Sequence, residues 1–581
     1  MGIVELDRPA ARGYGVKLRR TVPLRLAPHP NSPSDQEWTG WVQDSPEPIA
    51  IDLFCGAGGL SYGLGAAGYR VALAADNDKW ALESHQHNIA GRILKLDLAE
   101  QRARDLVCEL LSGVDVGLIA GGPPCQPFSR AGLSKMRSLV EQGVRSGGDS
   151  RRELWRAFLE IVEAVRPRAV LMENVPDMAL GDGFQALREL IERLGEIGYE
   201  ADARIVDTWR HGVPQNRQRL IVVALRDGVV FEWPEELSQA TVRDAIYDLP
   251  RLNVSPDAEL GAPTLEYGAQ SPRSPLMAED GSELLSEFAA RARESCTGEA
   301  ASVVHDHSTR PVRADDFEAF KLMDGRTLYS ELPEDLRRYR ADIFNDKYNR
   351  LSWDELSRTI TAHLAKDGYW YIHPEQHRTL TVREAARLQT FPDDFRFAGH
   401  RSHQFQQIGN AVPPGLAQQI GSAILQSLRG HHDAPNRGRA RRSLLNRRNG
   451  FRESILHWVN TDSNARCAVE SLSDGAGQKQ RWADLLAGRE SGLVSSAPAL
   501  RVAARVAGDQ NGRQPRGVAV RMELAKLVGL GDKARVLNAA AHTLGVSVCK
   551  LHDPLCQSCP VSAVCSGRSS AGPTAPAISK G

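Results

Sequence analysis

Between residues 48 and about 232, short apolar runs alternate with stretches of helical spacing, and this alternation narrows the fold more than any other feature of the chain. The runs lie at 49–54, 70–75, 114–120, 169–172 and 220–225. Helical spacing falls at 60–67, 153–165 and 184–197. Short apolar strands separated by helices build a sheet with helices on both faces. The expected fold class is α/β, a doubly wound sheet. At 581 residues the chain exceeds one ordinary domain, so further units are expected beside it.

The rest of the chain divides by composition. Residues 1–47 are rich in Pro and Arg without periodicity and read as a loose N-terminal extension; 48–234 carry the alternating pattern. Residues 235–375 break the rhythm, being polar with scattered prolines, and helical spacing returns over 376–428. A segment at 429–455 follows in which 429–452 hold eight arginines and one acidic residue. Such a run is a solvated linker or a grip for phosphates. Residues 456–566 are helical and end in crowded cysteines, and 567–581 form a tail.

Overall charge is balanced, 72 basic against 72 acidic residues, so net charge alone does not announce a nucleic acid. No apolar run approaches the roughly 18 residues of a membrane span, and the N-terminus lacks the charged start and apolar core of a secretion signal. A cytoplasmic location is expected. There, the four cysteines crowded into 549–565 read as metal ligands rather than disulfides.

The run DLFCGAGGL at 52–60 follows the first strand and opens a helix. Gly56, Gly58 and Gly59 permit a tight turn and close approach to a ligand, and the helix N-terminus favours an anionic group. The next strand ends at Asp76, placed to bind ribose hydroxyls. The spacing is not that of a nicotinamide fingerprint, and a tight strand–helix turn without a ligand has the same composition. After the run at 114–120 comes GGPPCQ at 121–126, with Cys125 on a loop held by two prolines. Glu173, Asn174 and Val175 end the next strand, QNRQR at 215–219 precedes another, and QIGNAVP stands at 407–413.

In order and in residue type these segments resemble the motifs of the DNA (cytosine-5) methyltransferase family, over roughly 48–428. The runs TVRDAI at 241–246, LTVREA at 380–385 and LQTFP at 388–392 are similar as well. The resemblance implies an S-adenosylmethionine-dependent sheet, a variable target recognition domain over 235–375, double-stranded DNA as substrate, a monomer, and a restriction–modification or epigenetic setting with a cognate endonuclease as partner. It implies Cys125 as a nucleophile adding to C6 of a flipped cytosine, so that C5 can attack the cofactor's methyl group. Glu173 would contact N3 and the exocyclic amine, and Arg219, with Arg217, would hold the base carbonyl and the Cys125 loop. On the cofactor side it implies Phe54, Gly56, Gly58, Gly59, Leu60, Asp76, Asn77, Asp97, Asn410 and Ala411. Asn77 stands where the family often has a bulky aromatic. Gly132, Gly143, Gly147 and Gly148 would let the Cys125 loop move. Arg326, Arg337, Arg338, Arg340, Lys347 and Arg350 give the variable region its basic character.

Cys549, Cys556, Cys559 and Cys565 have a spacing that resembles the 4Fe–4S loop of endonuclease III-type glycosylases; the resemblance implies an iron–sulfur cluster, ahead of zinc, in a small α-helical DNA-binding domain. GAGQK at 475–479 is similar to that family's glycine hairpin, with Lys479 at its lysine position, and RVAAR at 501–505 to the helix after its catalytic aspartate. That aspartate position falls on Ser496 or Ala497, with no carboxylate. The readings to separate are an active DNA cytosine methyltransferase, a bifunctional methylase–glycosylase, a non-catalytic DNA-binding protein on the same scaffold, and an RNA methylase.

Overall fold

The computed structural model describes residues 22–124, 154–181, 184–252, 254, 270–272, 285–297, 302–307, 312–337, 348–365, 368–433, 444–473, 485, 493–507, 517–530, 532–550 and 554–566. Strand alternation sets its layers. In β1 (Ile49–Leu53) Ile49, Ile51 and Leu53 enter one apolar core and Ala50 enters a second. The period of two therefore sends Asp52 to the second face.

The other strands are β2 (Arg70–Asp76), β3 (Arg92–Lys95), β4 (Val116–Gly121), β5 (Ala169–Asn174), β6 (Glu200–Asp207), the short β7 (Gln215–Asn216) and β8 (Gln218–Leu225). Seven form one sheet in the order β3-β2-β1-β4-β5-β8-β6. The first five pair in parallel, and β8 runs antiparallel to β5 and β6. Every apolar run of the sequence became a strand. β3 and β6 were not anticipated: β6 is an edge strand, and its sequence EADARIVD buries too few residues to read as apolar.

Helices cover both faces. On the first lie α1 (Trp38–Gln43), α4 (Gln101–Leu110), α5 (Leu154–Val165), the short α6 (Pro176–Leu180) and α7 (Gln185–Glu196). On the second lie α2 (Gly59–Ala66) and α3 (Lys79–Asn88). The variable region contributes α8 (Val242–Ile246), α9 (Glu287–Arg293), α10 (Ala314–Lys321), a two-stranded pairing of β9 (Gln270–Pro272) with β10 (Val303–His305), and β11 (Ser357–Arg358), which pairs with β7. It has its own small core, in which Phe320, Tyr329 and Tyr348 meet Ile372. The return segment then gives α11 (Val382–Leu388), α12 (Arg401–Asn410) and α13 (Pro414–Asp433), and α13 lies along α2. At Gly63 a Cβ would stand 2.5 Å from that of Ala417, so only glycine admits so close a crossing.

Two sequence expectations change. The extension is not loose where it is described: Leu24 bridges to Gly399, Arg25 pairs with Glu83 at 2.8 Å, and Trp38 donates to Ala72 O at 2.8 Å. The arginine-rich segment is not simply a solvated linker. From Leu444 it forms α14 (Leu444–Thr461), whose Arg448 is buried and donates to Ala201 O at 2.8 Å, while Arg452 pairs with Glu192 at 3.1 Å. With α15 (Ser463–Glu470), α16 (Ala497–Ala507), α17 (Val518–Val528) and α18 (Asp532–Ser547), it makes a helical unit whose core is continuous with the first face of the sheet. Lys526 of α17 reaches Asp202 of β6 at 2.8 Å.

Candidate active site

The chain changes direction in the sheet between β1 and β4, which places a crevice at their carboxyl ends. At the end of β1, Phe54 is held at φ 59°, in the left-handed region that side chains seldom adopt. Gly58 follows at φ 99° and precedes α2; a Cβ there would stand 2.8 Å from His85 Cδ2 and 2.5 Å from Ile89 Cδ1. A Cβ on Gly59 would strike Val412 O, so the glycine loop lies directly against the return segment. Leu60 and Ala411 are buried there.

Asp76 is tied to that loop. Its Oδ2 accepts from Gly56 N at 2.9 Å and its Oδ1 from Asp78 N at 2.9 Å, while burial raises its pKa against the pull of these bonds. Asn77 and Asp97 lie exposed, and Asp97 accepts from Ala99 N at 3.0 Å. Asn410 is exposed at the end of α12. A cradle that only glycine permits, walled by a carboxylate with backbone donors, fits a nucleoside cofactor; these residues, with Phe54, are the ones that would hold it.

The second half of the site stands at the end of β5. Glu173 Oε1 pairs with Arg219 Nε at 2.8 Å, and the two side chains are 11% and 13% exposed. Burial lowers the Arg219 pKa and Glu173 offsets this. Glu173 Oε2 lies 3.4 Å from where a Cβ on Gly122 would stand, and Asn174 Nδ2 donates to Pro123 O at 3.1 Å. The root of the proline loop is thus fixed against the Glu173–Arg219 pair. Cys125, one residue beyond Pro124, lies outside the described residues, as do Gly132, Gly143, Gly147 and Gly148.

Arg217 lies within electrostatic reach of Arg219 and Glu173, but its hydrogen bonds go elsewhere. It is buried and donates to Ile360 O at 2.8 Å, Ala411 O at 3.1 Å and Gly409 O at 3.3 Å. Its guanidinium pins the return segment. Arg350 is likewise buried, spent on the carbonyls of Met323 at 2.8 Å and His373 at 2.6 Å. Arg326 is exposed and Arg337 half-buried; Arg338, Arg340 and Lys347 lie outside the described residues. Sequence reasoning missed Asn174 as the anchor of the proline loop, although it stood within the Glu-Asn-Val run. It also missed Asp52, Ser61 and His85, which form a buried chain behind the glycine loop. No local signal marks His85.

The cysteine cluster is less developed than its spacing predicts. Burial, with Cys549, Cys565 and Cys556 nearby, pushes the Cys559 thiol up to about 11. Arg505 donates to Cys549 Sγ at 3.2 Å. Among the described residues, however, no group of three or more His, Cys, Asp or Glu side chains is arranged to hold a metal ion. Four thiols that influence one another suit the donor chemistry of a cluster. Ser496 caps α16 through Ala499 N at 3.3 Å and meets His542 Nδ1 at 2.8 Å. Gly475 and Lys479 lie outside the described residues.

Residues 49–426 match the C-5 cytosine-specific DNA methylase family. The chain belongs to that family. It is a DNA (cytosine-5) methyltransferase and uses S-adenosylmethionine, which supplies the methyl group. It is 31% identical over 466 residues to the Type II methyltransferase M.Bpa9945I of Bacillus paralicheniformis, covering 66% of this chain and 100% of that one. It is also 31% identical over 439 residues to M.AgeI of Thalassovita gelatinovora, covering 64% and 98%. Among solved structures, a prophage-encoded DNA modification methyltransferase from E. coli shares the fold, with TM-score 0.50, 23% identity, and 66% of this chain and 99% of that one covered. The family match ends before the appended helical unit. No helix among the described residues is long and apolar enough to cross a membrane.

Proposed function

We propose that this methyltransferase works through a covalent Cys125 adduct, with Glu173 and Arg219 holding the target base. The observation that carries this reading is the convergence of the Glu173–Arg219 pair on the root of the loop that bears Cys125. C5 of cytosine is a poor nucleophile. When the Cys125 thiolate adds at C6, the ring becomes an enamine and its electron density moves to C5. Glu173 at N3 and the exocyclic amine, oriented by Arg219, stabilises the ring as charge develops. The arginine also favours ionisation of a thiol that ordinarily titrates near about 8.5. C5 then takes the methyl group, the C5 proton leaves to a base, and the thiolate is expelled as the C5–C6 double bond re-forms. The target atom is inaccessible in stacked duplex, so the base swings out of it.

Phe54, Gly56, Gly58, Gly59, Leu60 and Asp76 line the cofactor side, with Asn77 and Asp97 toward the nucleoside and Asn410 and Ala411 opposite. Residues 235–375 select the DNA sequence. The names of the relatives support a Type II restriction–modification setting with a cognate endonuclease.

The test is sequencing, by bisulfite or nanopore, of DNA from a host expressing the chain. C5-methylcytosine at one short sequence context is expected, and its loss with Cys125→Ser. Undiminished methylation with Cys125→Ser would sink the nucleophile.

For the helical unit we propose DNA binding with a cluster on Cys549, Cys556, Cys559 and Cys565, iron–sulfur ahead of zinc. Their spacing and the mutual influence of the thiols support it. A colourless protein without iron, purified anaerobically, would refute it; absorption near about 400 nm is expected of Cys-ligated iron–sulfur. The serine at 496, engaged as a helix cap, speaks against a glycosylase.

A further inference from the structure

Asp52 is the penultimate residue of β1, just before the glycine loop and at the switch point where the cofactor crevice opens. It is completely buried. Its Oδ2 accepts from Ser61 Oγ at 2.6 Å, and Ser61 Oγ meets His85 Nε2 at 2.9 Å. Both ends of this chain are unfinished: Asp52 Oδ1 and His85 Nδ1 are buried with no hydrogen-bond partner among the described residues. The chain touches the cofactor loop directly, because His85 packs where a side chain on Gly58 would stand.

The groups around Asp52 are anionic or neutral. From β2 comes Asp76, from the loop the thiol of Cys55, from α2 the hydroxyl of Ser61, and from α3, through that hydroxyl, His85. On β4 its neighbours in register are Ala120 and Gly121, which carry no charge. No cation pairs with Asp52 among the described residues. A carboxylate in such a place is held neutral at a cost that a positive charge nearby would remove. The methyl donor brings that charge as a sulfonium, and its demethylated product, a thioether, does not.

We propose that Asp52 is the residue by which the pocket distinguishes the charged cofactor from its neutral product. It gives up a proton to solvent when the sulfonium binds, and takes one back once the methyl group has left. The Ser61–His85 chain lets the carboxyl change charge while both hydrogen bonds of the chain are kept, their direction reversed. With Asp52 ionised, Ser61 donates to it and accepts from His85 Nε2–H. With Asp52 protonated, its hydroxyl donates to Ser61, Ser61 donates to Nε2, and the imidazole proton sits on Nδ1. The two states differ by one proton, and His85 is neutral in both. Burial holds the imidazole down, to about 4. Burial also pushes Asp52 up, to about 7, against the Ser61 bond and helped by Asp76, so the exchange falls at neutral pH.

Calorimetry of the full chain at pH 7, in two buffers of different ionisation enthalpy, counts protons exchanged on binding S-adenosylmethionine and, separately, S-adenosylhomocysteine. A substantial fraction of a proton released with the first and little with the second is expected. The dissociation constant for the first should fall by up to about ten-fold from pH 6 to pH 8, while the second stays flat. Asp52→Asn should erase the difference; if that variant does not fold, the wild-type proton count decides alone. Equal proton exchange with both ligands would overturn the proposal and leave the cofactor assignment standing. Failure of both ligands to bind would overturn the cofactor assignment itself, and the proposal with it.

Discussion

Asp52 and Asp202 are both enclosed aspartates on strands of one sheet, and their surroundings drive them in opposite directions. Asp52, at the cofactor crevice, has no cation, and burial raises it to about 7. Asp202, on the edge strand β6, would also be raised by burial, but Lys526, with Trp233 and Arg448, carries it well below the usual carboxylate range. The paired charge belongs to structure: it fastens the helical unit to the methylase sheet. The unpaired one is left for a ligand to complete. Their contributions to stability therefore have opposite pH slopes. The Asp202 contribution is present above the unfolded value near 3.8 and is lost as pH falls below it. The raised pKa of Asp52 makes the folded state lose stability as pH climbs from about 3.8 to about 7, after which the cost is constant.

Removing the cation from the paired site should have the larger effect. Lys526→Met leaves Asp202 enclosed without its partner and should cost about 3–5 kcal/mol in denaturant unfolding, with Asp202→Asn in the same chain restoring much of it. A loss under about 1 kcal/mol would mean that the joint between sheet and helical unit is solvated. Asp52→Asn should do the reverse. The upper bound from a displacement of about three pKa units is about 4 kcal/mol, and the unpaired amide offsets part of this. A gain of roughly 2 kcal/mol at pH 8, vanishing below about pH 4, is expected from thermal unfolding across pH. A gain that does not change with pH would mean that Asp52 titrates in the folded protein as it does in the unfolded chain. The smallest effect belongs to Gly58→Ala. The φ of 99° and the crowding of His85 predict about 1 kcal/mol of destabilisation, together with weaker S-adenosylmethionine binding and no change at the Asp202 joint.

The same contrast explains what was legible in the sequence. Strands β1, β4, β5 and β8 are buried along nearly their whole length and read as continuous apolar runs. Edge strand β6 keeps one side toward solvent and toward the α17 lysine, so its polar residues concealed it. The glycine loop, Asp76 and Glu173 were legible because local turn and strand-end chemistry dictates those residue types. The carbonyl contacts of Arg217 were not legible, because a guanidinium that grips groups nearly two hundred positions away looks, in sequence, like one facing a base. The Ser61–His85 contact and the Lys526–Asp202 pair were beyond reach for the same reason: each joins elements that only the tertiary fold brings together. The arginines at 448 and 452 read as a surface run, since nothing local shows that β6 and α7 would cover them.

The central claim, covalent catalysis by Cys125 at C5 of cytosine, can be tested with duplex DNA carrying 5-fluorocytosine at the methylated position. Fluorine cannot leave C5 as a proton does, so the adduct should persist. With S-adenosylmethionine present, the full chain is expected to form a protein–DNA complex that survives denaturing electrophoresis, and Cys125→Ser to form none. A wild-type enzyme that methylates ordinary DNA yet leaves the fluorinated duplex free after denaturation would contradict the covalent mechanism.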